Sequence, residues 1–212
     1  NIIADYESGS YIKIYNDERA GDKTVELSPR LIENGKALTS EQFEIYSVNY
    51  DDKIIDFDRD TLTVTGLSKG NTALEIVYKS KVSGGTVVSY VDIEVDLYTE
   101  DKSSSINIGK VYADEGKLNL DTGKIFADLT SEQLEGLSII KVTDVTNGFN
   151  MNIPVKNNVV DTSSFIGGGI IGDRRWEIQC EKYSYIVKVN VSEYDKYKNL
   201  VGEYVSAEND YR

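Results

Sequence analysis

Tyr90-Val91-Asp92-Ile93-Glu94-Val95-Asp96 alternates without a break, with Val91, Ile93 and Val95 on one side and carboxylates on the other. A period of two is the side-chain period of a β-strand, so the stretch reads as a strand with one buried and one wetted face. The pattern recurs on either side of it. Tyr11-Ile12-Lys13-Ile14-Tyr15, Thr24-Val25-Glu26-Leu27-Ser28 and Thr61-Leu62-Thr63-Val64-Thr65 alternate upstream, and Tyr185-Ile186-Val187-Lys188-Val189-Asn190-Val191 alternates downstream. Asn34-Gly35, Asp51-Asp52 and Ser83-Gly84-Gly85 punctuate the runs. Turns at spacings of roughly 8 to 12 residues point to a sandwich or barrel of short strands.

Helical signals are weak by comparison. Leu38-Thr39-Ser40-Glu41-Gln42 and Leu129-Thr130-Ser131-Glu132-Gln133 each place Gln three residues after Thr, the spacing of a capping box, but no long 3.6-period stripe follows either. Each predicts a single turn at most. These twin segments also mark a weak repeat of about 90 residues. Each is followed by a glycine-flanked turn (66–70, then 167–172), by a strand (72–78, then 175–180), and by a closing alternating strand that starts with Tyr. Between the halves, Thr99-Glu100-Asp101-Lys102-Ser103-Ser104-Ser105 is polar and free of apolar residues, and reads as a linker.

With 36 acidic and 23 basic residues, the net charge of -13 repels nucleic acid and anionic lipid and keeps an exposed protein soluble. No apolar run reaches the roughly 18 residues of a membrane helix, so no membrane insertion is expected, and no signal peptide is recognised. Asn1 is not an initiating residue, which implies that upstream residues were removed. A single cysteine excludes an intrachain disulfide.

The absence of histidine removes histidine-dependent triads, acid–base work and histidine-liganded zinc, and a lone cysteine builds no cysteine zinc site. Cys180 is either a nucleophile or a buried small hydrophobe. Trp176 and Ile178 share its strand face and favour the second reading. Asp56-Phe57-Asp58-Arg59-Asp60 invites a calcium reading, yet an EF-hand loop would need Gly and Glu where Thr61 and Leu67 stand. A solvated turn is the alternative. Gly167-Gly168-Gly169 lacks the Gly-Lys-Ser/Thr ending of a phosphate loop, and Asn190-Val191-Ser192 fits the glycosylation pattern only at the end of a strand. No spacing singles out a pair of carboxylates for glycoside hydrolysis. The 15 tyrosines suit strands, and they also suit sugar stacking and protein interfaces.

Residues 54–76 read IIDFDRDTLTVTGLSKGNTALEI. This closely resembles the signature of bacterial immunoglobulin-like domains of group 2, in which a strand bearing an aspartate leads through a turn into V-T-G-L-S-K-G-x-A-x-I. Val64-Thr65-Gly66-Leu67, Ser68-Lys69-Gly70 and Thr72-Ala73 carry the likeness, which covers roughly residues 10 to 97. In that frame Gly66 and Gly70 supply positive φ in the connecting loop, Leu67 plugs the end of the sandwich, and Ala73, Leu74 and Ile76 belong to the next strand. Residues 117 to 191 resemble a more divergent module of the same kind by layout, without the signature and with a longer glycine loop. Neither half has the paired cysteines of antibody domains, and Trp176 is not in the antibody arrangement.

The expectation is therefore an all-β chain of tandem immunoglobulin-like β-sandwiches. Residues 1–98 form the first, 99–105 a linker, 106–193 the second, and 194–212 a connector and the start of a further module, since Leu200-Val201-Gly202-Glu203-Tyr204-Val205 again opens like a strand, in the manner of lipocalin-like modules. The resemblance implies a non-catalytic part of a secreted or surface-anchored bacterial protein that adheres, spaces or presents. Its partner would be a protein or glycan at the cell surface. It would act as a monomer, with no cofactor, no metal and no nucleic acid. The alternatives are a carbohydrate-binding accessory module, marked by two or three coplanar exposed aromatics on one face, and the accessory region of a surface enzyme whose catalytic domain lies outside this chain.

Overall fold

In the computed structural model, which describes residues 1–113, 116–165 and 170–192, the alternating stretches are strands. The chain divides into two units, Asn1–Tyr98 and Thr99–Arg212.

The first unit runs β1 (Ile2–Tyr6), β2 (Tyr11–Tyr15), β3 (Thr24–Glu26), β4 (Pro29–Glu33), β5 (Lys36–Ala37), β6 (Phe43–Asn49), β7 (Ile55–Asp58), β8 (Thr63–Gly66), β9 (Gly70–Ser80) and β10 (Thr86–Asp96). One sheet has the order β2-β10-β9-β6. There β10 pairs antiparallel with β9, whereas β2 lies parallel to β10, with Tyr11 opposite Asp92 and Tyr15 opposite Asp96. Facing it are the ladders β1-β4-β5 and β3-β8-β7, joined along the chain because β3 runs on into β4. Two sheets in this order, antiparallel except for β2 on β10 and with the opening segment split between them, make an immunoglobulin-like sandwich. Its core draws on both sheets. Ile14, Leu74, Ile76, Tyr78, Val91, Ile93 and Val95 come from one, and Leu31, Ile55 and Val64 from the other, all at most 2% exposed. Asn34 and Gly35, with φ of 48° and 80°, make the tight turn between β4 and β5 that an Asn-Gly pair favours.

The signature loop works differently from expectation. Gly66 and Gly70 are not among the residues with positive φ. Glycine is needed at 66 because neighbouring backbone comes too close, whereas at 70 the near neighbour is the movable end of a side chain. A Cβ on Gly66 would lie 2.4 Å from the Tyr15 carbonyl oxygen and 3.1 Å from Val95 Cγ1, and one on Gly70 would lie 2.8 Å from Ile54 Cδ1. Nor does Leu67 plug the sandwich, for it is 40% exposed, and Ile54 is the residue that packs against the core at this point.

The second unit repeats the plan. Its strands are β11 (Thr99–Asp101), β12 (Asn107–Tyr112), β13 (Lys117–Asn119), β14 (Ile139–Asp144), β15 (Met151–Ile153), β16 (Val155–Lys156), β17 (Val159–Asp161), β18 (Gly172–Cys180) and β19 (Ser184–Ser192), with one-turn helices α1 (Thr122–Ile125) and α2 (Ser131–Leu134). The larger sheet runs β11-β19-β18-β14-β15, with β12 also parallel to β19, and the smaller runs β13-β17-β16. Val160 of the small sheet meets Val142, Trp176, Ile178, Val187 and Val189 of the large one in a single core. The repeated five-residue segment keeps its place in both units. Gln42 Oε1 accepts from Thr39 N at 2.9 Å just before β6, and Thr130 with Gln133 forms a full capping box on α2 before β14, the equivalent strand.

The expected linker at 99–105 is not one. Thr99, Glu100 and Asp101 pair parallel with Ser184, Tyr185 and Ile186, and a turn at 102–106 leads into β12 on the same edge. Strand pairing uses backbone groups only, so polar side chains are no obstacle on a wetted edge. The second unit therefore begins at Thr99. The expected connector at 194–212 lies outside the described residues, as does the Gly167-Gly168-Gly169 loop.

Replacing Gly66 with alanine is expected to force β2 away from β8 and β10. Overpacking of this kind costs about 1–3 kcal/mol. A lower denaturant midpoint at unchanged slope would show it, and an unchanged midpoint would mean that the close approach to Tyr15 is not a constraint.

Candidate interaction face

The residues that sequence reading marked for chemistry are absorbed by the fold. Cys180 is fully buried between β14 and the core, and burial pushes its thiol up to about 12. Asp58 ends β7, where its Oδ1 accepts the amides of Asp60 (2.9 Å) and Thr61 (3.2 Å). Those two amides hold its carboxyl below the usual range, and the acidic run is thus a turn closed on itself. Asn190 Nδ2 donates to Asp173 Oδ1 on the neighbouring strand at 2.9 Å.

Buried polar groups, which single-residue reading missed, form closed sets. In the first unit the Tyr6 hydroxyl bridges the Tyr78 hydroxyl (2.8 Å) and Ser89 Oγ (2.6 Å), and burial raises both phenols. Glu33 accepts from Ser80 Oγ at 2.8 Å and from Ser83 Oγ, fixing the β9–β10 turn to β4. In the second unit Asp144, with no exposure, receives Arg174 Nε (2.9 Å) and Nη2 (3.0 Å), the Trp176 indole N–H (3.3 Å) and the Thr146 amide (3.0 Å). Burial works to raise the Asp144 carboxyl, but Arg174 and Thr146 outweigh it and hold the group below its ordinary value. Nearby, the Tyr185 hydroxyl donates to both Asp128 oxygens (2.7 and 2.8 Å), with the Lys102 ammonium 5.5 Å from its ring centre. Apart from the Thr146 amide, two residues from Asp144, these partners are distant in sequence, so no local motif announces them.

What the fold leaves exposed is the outer face of the β2-β10-β9-β6 sheet. Residues out of phase with the core point there. Tyr11 is 57% exposed, Tyr90 57% and Val88 49%. Tyr46, out of phase with Phe43 and Ile45, joins them at 64%, just where a register shift between Ile45 and Ser47 makes it an extra residue, and Lys79 of the same face lies 5.9 Å over its ring. The register sets Tyr11 beside Asp92, Tyr90 beside Glu75, and Val88 beside Val77. The result is a diagonal stripe running from Tyr11 through Tyr90, Val88 and Val77 to Tyr46. Tyr11 donates to Glu94, which raises its phenol, and Glu75 across the ladder raises that of Tyr90. Beyond this face, a cleft of about 470 Å³ in the second unit is lined by Glu132, Glu135, Leu137, Ile140, Glu181 and Tyr183.

No protein-family model matches the chain, and no curated protein does. Solved structures of similar build include Drosophila N-cadherin EC1-4 (9% identity over 91% of this chain and 49% of that one, TM-score 0.31). An I-band fragment of titin shares 10% identity over 92% of this chain and 65% of that one, with TM-score 0.34. The fibronectin(III)-like modules of Clostridium thermocellum CbhA share 13% over 90% and 95%, with TM-score 0.27. The chain thus spans about half of the cadherin chain and just under two thirds of the titin fragment. At such identities and scores the likeness carries no functional argument, and the fold assignment rests on the strand order given above.

Removing the Asp144 carboxylate (Asp144→Ala) is expected to cost about 3 kcal/mol or more, because it strips the partner from a guanidinium that is only 12% exposed. The control Arg175→Ala breaks an exposed pair with Asp101 and should cost under about 1 kcal/mol. Because the folded Asp144 value lies below the unfolded one near 3.9, its contribution is full above that pH and is lost as pH falls through the folded value. Urea melts at pH 7 and in the acid range measure both. Native Cys180 should resist thiol reagents until the unit unfolds.

Proposed function

We propose that this chain is a non-catalytic part of a secreted or surface-anchored bacterial protein, in which two sandwiches space and present an interaction face. In this reading residues 1–98 are a bacterial immunoglobulin-like domain of group 2, and the second unit is a divergent relative. The observation that carries it is the direction of the chain within each unit. In the first, the Asn1 ammonium donates to Asn34 at 3.0 Å and Ile2 packs beside Gly85, at the end where β10 begins. The chain leaves beyond Asp96, where the Tyr98 amide donates to Asn16 Oδ1 at 2.9 Å. The 11 residues of β10 separate the two points by about 36 Å at roughly 3.3 Å per residue. In the second unit Thr99 pairs with Ser184 at the start of β19, and Ser192 ends that strand about 30 Å away. A unit that takes the chain in at one pole and releases it at the other suits a linear array.

The same geometry governs resistance to tension. A pull between the poles runs along β2 and β10 and loads all their bonds together, whereas a pull across a ladder breaks bonds one at a time. The exposed tyrosine stripe supports the presenting half of the reading.

Single-molecule stretching tests it. Held at its two ends, the first unit is expected to unfold at several times the force needed when it is held at cysteines placed at Asn71 and Glu94, which face each other across the β9–β10 ladder. Equal forces in the two geometries would remove the spacer reading.

A further inference from the structure

The geometry points to the outer face of the β2-β10-β9-β6 sheet as the docking surface for a basic, arginine-rich segment of a partner protein. This deepens the proposed function and rests on it. Three observations converge.

The first is clustering. Tyr11, Tyr46, Val88 and Tyr90 are four of the large exposed apolar residues among those described, and all four lie on this one face. Isolated exposed side chains need no explanation, but a stripe crossing four strands about 4.8 Å apart is a continuous strip.

The second is charge. The registers place Glu44, Glu75, Asp92, Glu94 and Asp96 on the face against Lys13 and Lys79, which is five carboxylates to two ammonium groups. Lys13 is already paired with Asp96 at 3.5 Å, and Lys79 sits over Tyr46. Field and ring faces together select cations, and the guanidinium, which stacks flat on an aromatic ring and forks onto a carboxylate, fits better than an ammonium. Lys79 over Tyr46 shows within the chain itself the kind of contact a partner would make.

The third is preorganisation. Tyr11 is anchored through its hydroxyl to Glu94, and Tyr90 stands directly across the ladder from Glu75. A ring held in this way loses little freedom on binding. The anchoring also occupies the Tyr11 hydroxyl, a group that a sugar would otherwise use. A second copy of the chain is disfavoured as occupant because it would bring another net charge of -13 to the contact. Strand addition at the β6 edge is blocked as well, by the bulge at Tyr46 and by Arg59, whose guanidinium donates to the Ile45 carbonyl at 3.0 Å.

The test is an amide chemical-shift titration of the full chain with octa-arginine, octa-lysine and cellohexaose. The expected result is a set of shifts centred on Tyr11, Tyr46, Val77, Val88 and Tyr90 with octa-arginine, and weaker binding of octa-lysine. The double variant Tyr11→Ala/Tyr90→Ala should weaken octa-arginine binding tenfold or more at an unchanged melting temperature. Asp56→Asn, which removes one charge from the other sheet, should change it less than twofold. Shifts spread over acidic residues of both units, or affinity that survives the double variant, would reduce the effect to bulk charge and overturn the proposal. Shifts on this face with cellohexaose and none with octa-arginine would overturn it in favour of a glycan. A chain that fails here yet resists end-to-end tension as expected loses this partner and keeps its spacing role.

Discussion

The parallel pairing of an opening strand with the closing strand governs the rest of the structure. β2 on β10, and β11 with β12 on β19, are parallel contacts in sheets that are otherwise antiparallel. Parallel neighbours cannot be joined by a tight turn, so the whole of each unit must be threaded between them. That threading makes the unit a closed sandwich and puts its two chain ends at opposite poles. It also explains Gly66. With β2 laid along β10, the Tyr15 carbonyl comes so near β8 that no Cβ fits, and the signature glycine follows from the placement of β2.

Each core then carries polar groups that must find partners without water. The solutions differ between units: a hydroxyl chain of Tyr6, Tyr78 and Ser89 in the first, and a charged set around Asp144 in the second. A neutral chain avoids the desolvation of ions. The charged set is tolerable only because four donors converge on one carboxylate, two of them from a guanidinium fork. Thr162 Oγ1 is the buried side-chain atom among the described residues that lacks a partner. Otherwise polar burial is matched, which favours one packing over many near-equivalent ones.

How much of this was legible in the sequence depends on the range of the interaction. Strands were legible because alternation is a local property: residues 90–96 lie inside β10, and Tyr11–Tyr15 is β2 as read. The repeated five-residue turn was legible for the same reason, since Thr130 and Gln133 satisfy each other within one turn. The linker reading failed because it took side-chain polarity for lack of structure, whereas Thr99, Glu100 and Asp101 pair through their backbone. The glycine roles were misread because close approach to Tyr15 or Ile54 is a tertiary fact. Asp144 with Arg174, and Glu33 with Ser80, stand 30 and 47 residues apart, and nothing local joins them.

The tyrosines show where that boundary falls. Strand propensity alone treats all of them alike. Phase separates them: Tyr78 is in step with Leu74 and Ile76 and is buried, whereas Tyr90 is out of step with Val91 and Ile93 and is exposed. Tyr11 follows the same rule beside Ile12 and Ile14, and Tyr46 beside Phe43 and Ile45, so the outward direction of all three face tyrosines could be read from the sequence. Their neighbourhood could not. Tyr11 and Tyr90 are 79 positions apart along the chain and become diagonal neighbours only through the parallel register of β2 on β10. Tyr46 comes to the same face through the pairing of β6 with β9, where a register shift leaves it an extra residue. The strand pairing that fixes the poles of the unit thus also assembles its exposed stripe. A one-residue slip of β2 would turn Tyr11 inward and Ile12 outward, and core and face would be lost together.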